Sequence, residues 1–263
     1  VEANETFFVS LSAPTNATIT TAQGTGSITN DDFVNGNGSR ATSDFDGDGK
    51  ADILWRNADS GTNTLWFMDG GQIKGGATLL QVVGRDWQIQ GSGDFDRDGK
   101  ADILWRNSGS GSNTLWLMDG ATIKAGVSLT EVASTTWQIQ GTGDFDGDGN
   151  LDILWRNLAS GENLAWLMEG AVARGSLQFS SLASNTWKVQ ATADFNGDGR
   201  ADILWRNFTS GENVLWFTGF STGSTLPQVS DLNWQIQGAD DFDGNGTADI
   251  LWRNYGGAQN GAN

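Results

Sequence analysis

The stretch Asp94-Phe95-Asp96-Arg97-Asp98-Gly99-Lys100-Ala101-Asp102 places carboxylates at its positions 1, 3, 5 and 9. The chain repeats it five times, beginning at Asp44, Asp94, Asp144, Asp194 and Asp241. The first three copies carry four carboxylates each: Asp44, Asp46, Asp48 and Asp52; Asp94, Asp96, Asp98 and Asp102; Asp144, Asp146, Asp148 and Asp152. The fourth has Asp194, Asn196, Asp198 and Asp202, and the fifth has Asp241, Asp243, Asn245 and Asp249. Position 6 is Gly in every copy. A hard cation such as Ca²⁺ asks for this pattern. Several oxygens must converge at about 2.3–2.6 Å, and a glycine lets the backbone turn so that position 7 offers its carbonyl. The carbonyls assigned on this reasoning are those of Lys50, Lys100, Asn150, Arg200 and Thr247. Without a cation, so many carboxylates within nine residues repel one another. The expected cofactor is Ca²⁺, about five ions, one for each of the loops.

Two other readings compete. The EF-hand shares the first half of the spacing, but it requires a bidentate Glu at position 12 and flanking helices. Here position 12 is Trp55, Trp105, Trp155, Trp205 or Trp252, and the flanks Trp-Gln-Ile-Gln and Ile-Leu-Trp-Arg-Asn favour strands. Asp and Gly are also ordinary turn formers. A turn needs one or two of them, not four at fixed positions in five copies. Carboxylate number tunes calcium affinity, so the fourth and fifth loops, with three each, are expected to bind more weakly.

The elements that hold these loops repeat with them, at spacings of 50, 50, 50 and 47 residues. Trp87-Gln-Ile-Gln-Gly reads as a strand entering the loop, and Asp102-Ile-Leu-Trp-Arg-Asn as the strand leaving it. Asn107-Ser-Gly-Ser-Gly then turns into a third strand, Thr114-Leu-Trp-Leu-Met. After Asp119-Gly-Ala-Thr-Ile-Lys, the segment from Val127 forms a fourth. Four short antiparallel strands in about 50 residues make one blade of a β-propeller. The predicted class is therefore all-β: four full units and half of a fifth over residues 39–263. Residues 1–33 form a separate hairpin region, and 34–38 a linker.

All 13 Trp fall at three places in the repeat. Trp55, Trp105, Trp155, Trp205 and Trp252, with Trp66, Trp116, Trp166 and Trp216, are expected to fill the wedges between blades. Trp87, Trp137, Trp187 and Trp234 open their units and are the better candidates for a ligand-binding surface. The repeated Arg56, Arg106, Arg156, Arg206 and Arg253 are expected to stack on these rings or to pair with a carboxylate.

The net charge of −17 has the same origin. The loops hold 18 of the 32 acidic residues, and the other 14 meet 15 Lys and Arg, so the frame is near neutral. No basic patch indicates nucleic acid, and no apolar run approaches the ~20 residues of a membrane span. There is no Cys and no His, which excludes disulfides, thiolate metal sites and histidine catalysis.

The loop followed by Ala-Asp-Ile-Leu-Trp-Arg-Asn resembles the FG-GAP-like, or VCBS, repeat of bacterial surface and secreted proteins. Its loops are similar to the calcium-binding hairpin loops of the integrin α-subunit propeller. The resemblance covers about residues 39–254 and implies an extracellular, calcium-stabilised propeller, secreted or on the cell surface, used in adhesion or ligand binding. Some relatives are lectins. The expected partner is an extracellular protein or glycan, with neither nucleic acid nor membrane insertion. The first unit departs from the pattern, having Ser39-Arg-Ala-Thr-Ser in place of the Trp-Gln-Ile-Gln opener. Residues 1–33, with strands in Glu5-Thr-Phe-Phe-Val-Ser and Ala17-Thr-Ile-Thr-Thr, resemble the closing hairpin of a Calx-β domain. Residues 5–28 could add two strands to the last half-unit and close a five-bladed ring. Alternatively the repeats are an arc of a larger ring, whose raw edges invite self-association. The expected function is a non-catalytic adhesion or binding scaffold. The alternative is a lectin using inter-blade pockets, and a polysaccharide-degrading enzyme ranks third.

Overall fold

A computed structural model describes residues 5–10, 23–28, 43–219 and 223–256. The chain divides into two compact units, Val1–Asn35 and Gly36–Asn263. In the first, β1 (Glu5–Ser10) pairs antiparallel with β2 (Gln23–Ile28) as a two-stranded sheet. The second strand expected there, Ala17–Thr21, and the linker at 34–38 lie outside the described residues. So does the opener of the first repeat before Ser43.

In the second unit every sheet is antiparallel and follows chain order. The first blade has three strands among the described residues: β3 (Ile53–Arg56), β4 (Asn63–Asp69) and β5 (Gln72–Leu79). Three four-stranded blades follow. They are β6 (Trp87–Gly93) to β9 (Thr122–Leu129), β10 (Trp137–Gly143) to β13 (Val172–Phe179), and β14 (Trp187–Ala193) to β17 (Gly223–Leu226). The second and third strands of each are Asp102–Asn107 (β7) and Asn113–Asp119 (β8), Asp152–Asn157 (β11) and Asn163–Glu169 (β12), and Asp202–Asn207 (β15) and Asn213–Trp216 (β16). The last half-blade pairs β18 (Trp234–Asp240) with β19 (Asp249–Asn254). This is a β-propeller architecture, with consecutive first strands β6, β10, β14 and β18 side by side. Both β1–β2 and β18–β19 are two-stranded sheets as they stand.

The core lies between blades rather than within them. In one cluster Phe45, Leu65 and Leu79 of the first blade meet Ala101, Ile103, Trp105 and Met118 of the second. The next repeats it: Phe95, Leu104 and Leu115 meet Ile139, Ile153, Trp155 and Met168. Period-2 alternation produces this, because Leu104 points to one face of its strand and Ile103 and Trp105 to the other. Fully burying such side chains is worth about 1.5–3 kcal/mol each. Trp105, Trp155 and Trp205 are completely enclosed, as expected of wedge residues, and each tilts against the third-strand Trp of its own blade at 4.8–4.9 Å. Trp55, at the same repeat position, is 49% exposed, together with Ile53 on the same strand face.

The repeated arginines stitch blade to blade. Arg56 lies over Trp105, Arg106 over Trp155, Arg156 over Trp205 and Arg206 over Trp252, each 4.8–4.9 Å from the ring centroid. None of these four takes a carboxylate partner among the described ion pairs. Arg106 instead donates to the carbonyls of Gly111, Val132 and Trp137 and to Asn113 Oδ1 at 3.0–3.1 Å. Buried charge is tolerated only when its donors are satisfied, and the carbonyls here do that. Burial lowers the basicity of Arg106, Arg156 and Arg206.

Candidate metal centre

The second to fifth acidic loops each join the first and second strands of their unit, and the first loop leads into β3, so all five precede the equivalent strand. Adjacent loops touch. The N–H of Ala101 donates to the carbonyl of Asp44 at 2.7 Å, that of Ala201 to Asp144 at 2.7 Å, and that of Ala248 to Asp194 at 2.8 Å. The position-7 side chain of one loop also lies over the position-4 glycine of the loop before it, Lys100 at Gly47 and Arg200 at Gly147.

Within a loop the side chains turn inward. At position 1, Asp144 accepts the N–H groups of Gly147 at 2.7 Å, Asp148 at 3.2 Å and Gly149 at 2.8 Å. Position 5 caps position 7: Asp48, Asp98, Asp148, Asp198 and Asn245 accept the N–H of Lys50, Lys100, Asn150, Arg200 and Thr247 at 2.8–3.0 Å. The glycines at position 6 all have φ between 82° and 93°. Position 4 needs the left-handed region too. It is Gly in four loops, and in the second it is Arg97, whose φ of 61° is one that side chains rarely adopt.

Position 9 carries a second task that its spacing does not reveal. Asp102 Oδ2 accepts the N–H of Phe95 at 2.9 Å, while Oδ1 accepts that of Met118, on the third strand, at 2.8 Å. Asp52, Asp152 and Asp202 repeat the clamp with Met68, Met168 and Thr218. These carboxyls are buried, and desolvation raises the pKa of Asp102 to about 6 and of Asp152 and Asp202 to about 7. Burial favours the neutral form of these carboxyls, and a cation bound beside them would favour the ionised form.

Four of the loops bring three of their assigned carboxylates together. Asp44, Asp46 and Asp48 present oxygens within 4.8 Å of one another, as do Asp94, Asp96 and Asp102, Asp144, Asp146 and Asp152, and Asp241, Asp243 and Asp249. In the fourth loop Asn196 replaces a carboxylate, and Asp194, Asp198 and Asp202 form no such trio among the described residues. The donors are all hard oxygens, suited to Ca²⁺ rather than to a soft metal. Basic groups already press against three of the rings: Lys74 on Asp46 and Asp48, Lys124 on Asp96 and Asp98, and Arg174 on Asp146 and Asp148. The residues present fit a divalent cation.

The sequence pattern of the FG-GAP-like repeat matches residues 44–105, 94–155 and 144–205. The chain belongs to the FG-GAP-like repeat family. Each match runs from one acidic loop to the Trp that follows the next, so the FG-GAP unit contains a complete inter-blade joint. No match was found among curated proteins. Among solved structures, the chain is similar to an auxiliary nutrient binding protein from Bacteroides thetaiotaomicron, with 9% identity and a TM-score of 0.43. The alignment covers 69% of this chain and 45% of that one.

The opening tryptophans of the FG-GAP units are only half available. Trp87, Trp137 and Trp187 pack against the inter-blade clusters, and Trp234 is 38% exposed. The buried Asn63, Asn113, Asn163 and Asn213 are a feature that the spacing of acids and aromatics passes over. Asn113 Oδ1 receives Arg106, and its Nδ2 donates to Thr130 O at 2.8 Å, which ties the arginine to the fourth strand. The repeated Gly-x-Asn before the third strand was the available signal.

Proposed function

We propose that this FG-GAP propeller is an extracellular, non-catalytic binding scaffold whose acidic loops take up Ca²⁺, about one ion per loop. The observation that carries the reading is the convergence of three carboxylate oxygens within 4.8 Å of one another in four of the loops, at positions 1, 3 and 5 of the first and at positions 1, 3 and 9 of the second, third and fifth. Ca²⁺ there would neutralise the carboxylates and cross-link each loop to its flanking strands. Positions 1, 3 and 5 would hold the ion from the loop, and position 9 from the strand that leaves it. The buried carboxyls of Asp102, Asp152 and Asp202 would then remain ionised at neutral pH. The clustered carboxylates would be engaged in this way, which supports a binding role over hydrolysis. Extracellular millimolar calcium suits repeated loops of this kind.

A second reading, a glycan-binding role, is favoured by one groove. Between the outer strand of the second blade and the third, a cavity of about 160 Å³ is lined by Ser128, Thr130, Trp166, Met168 and Val172. It combines an aromatic face with hydroxyls, the two features that a sugar uses.

The calcium reading is tested by thermal melts of metal-stripped protein with and without millimolar Ca²⁺. A ligand that prefers the native state raises the midpoint; an unchanged midpoint would refute it. Glycan-array binding that disappears in Trp166→Ala, with the melt in Ca²⁺ preserved, would support the second reading.

A further inference from the structure

The outer strand of each of the first three blades carries a β-bulge at the same place. In the first, Phe67 pairs with Gly75 and Met68 with Ile73, so Lys74 is the extra residue. Lys124 and Arg174 are the extra residues of the second and third. A bulge interrupts the side-chain alternation and re-aims the extra residue. Here it aims three cations at the acidic loop of their own blade. Lys74 Nζ stands 2.9 Å from Asp46 Oδ2 and also meets Asp48 Oδ2. Lys124 Nζ stands 2.8 Å from Asp96 Oδ2 and meets Asp98 Oδ2. Arg174 Nη2 stands 2.6 Å from Asp146 Oδ2 and meets Asp148 Oδ2. The targets are positions 3 and 5 every time.

The fourth blade differs in two respects. No Lys or Arg occurs between Arg206 and Arg253, and position 3 is Asn196. Asn196 Nδ2 donates to Asp198 Oδ2 at 3.1 Å, the oxygen that receives the cation in the other loops. The fifth loop, with Asn245 at position 5, belongs to the two-stranded half-blade. Four carboxylates occur with a bulge cation, and three occur without one. Over positions 1, 3, 5 and 9 together with the bulge residue, the formal charge is −3 in all five loops.

We propose that Lys74, Lys124 and Arg174 are tethered counter-ions that set the calcium affinity of their loops. They hold positions 3 and 5 together in the metal-free chain and lower the affinity of the four-carboxylate loops to that of the three-carboxylate ones. The inference rests on the calcium reading above, and it replaces the expectation from carboxylate number alone that the fourth and fifth loops bind more weakly. Repulsion between a bound Ca²⁺ and one cation a few ångströms away, screened by water and salt, is worth roughly a factor of ten in affinity.

Calorimetric Ca²⁺ titration of the metal-stripped chain tests this, comparing wild type with Lys74→Gln/Lys124→Gln/Arg174→Gln at low and high salt. Three ions should bind roughly tenfold tighter in the variant and the others unchanged, the difference shrinking at high salt. The metal-free melting midpoint of the variant should fall. Lys124→Arg should keep wild-type affinity, and Asn196→Asp, which adds a carboxylate without a cation, should tighten one site roughly tenfold. If the wild type takes up no Ca²⁺, the calcium reading fails and this inference with it. If the wild type binds about five ions but the triple variant binds them equally or more weakly, or Asn196→Asp tightens none, the counter-ion role alone is overturned.

Discussion

Truncating the same tryptophan in two blades should have very different consequences. Trp155 is 1% exposed, sits 4.8 Å from Trp166 and carries Arg106 on its other side at 4.8 Å. Trp55 is 49% exposed, and its only described ring partner is Trp66 at 5.2 Å. Removing a fully enclosed Trp loses its transfer free energy and leaves a cavity, together about 3–5 kcal/mol. It also strips a buried guanidinium of its aromatic face. With half of its surface already wet and no cation stacked on it among the described residues, Trp55→Ala should cost about 1–2 kcal/mol. For a domain of this size each kcal/mol moves the midpoint about 2–4 °C, so Trp155→Ala should lower it by roughly 10 °C and Trp55→Ala by roughly 4 °C. The assay is circular dichroism melting in excess Ca²⁺, with urea titration to check that the slope is unchanged, since repeat proteins can lose cooperativity. Equal shifts, or a larger one for Trp55→Ala, would refute the claim that stability resides in the joints between blades.

Three further outcomes follow from local geometry. Gly161→Ala should destabilise by more than about 2 kcal/mol, because Gly161 has φ +79° and an added Cβ would lie 2.3 Å from Leu182 O; a melt within 2 °C of wild type contradicts this. Arg97→Gly should stabilise by about 0.5–1 kcal/mol in the same melt, since Arg97 occupies the left-handed position that other loops give to Gly; a loss of stability would show that its side chain is needed. The metal-free protein should lose stability as pH rises from about 5 to 8. Asp102, Asp152 and Asp202 have folded pKa values of about 6 to 7, above the ordinary 3.8, so folding favours their protonated forms. That contribution is complete below about pH 4 and is lost as pH passes through 6 to 7. Asp48, whose pKa is lowered by its hydrogen bond to Lys74, acts with the opposite sign, but at more acid pH. Melts of stripped protein across this range test the slope, and a midpoint that rises with pH would contradict it.

Much of this was legible in the sequence because one unit recurs. Recurrence at 50 residues fixed the blade and its strands, and the alternation in Asp102-Ile-Leu-Trp-Arg placed Ile103 and Trp105 on the opposite face from Leu104. What stayed hidden depends on three-dimensional juxtaposition. Arg106 could have met a ring or a carboxylate, and only the packing of blade on blade puts it over Trp155. Asp102 looks like any other loop carboxylate until the third strand brings the N–H of Met118 to it. Lys74, Lys124 and Arg174 are unremarkable lysines and an arginine in sequence, because a bulge, which period-2 reading does not anticipate, decides where they point. The opening tryptophans stand out in sequence as candidates for a ligand-binding surface, yet Trp87, Trp137 and Trp187 pack against the inter-blade clusters.

The most direct test of the calcium account is an ion count. Calorimetric titration of the stripped protein should give about five Ca²⁺ per chain, and Asp144→Asn/Asp146→Asn should lower that count by one while leaving the other sites filled. A count near zero, or one that does not change in the variant, would mean that the acidic loops are Asp-Gly turns and not metal centres.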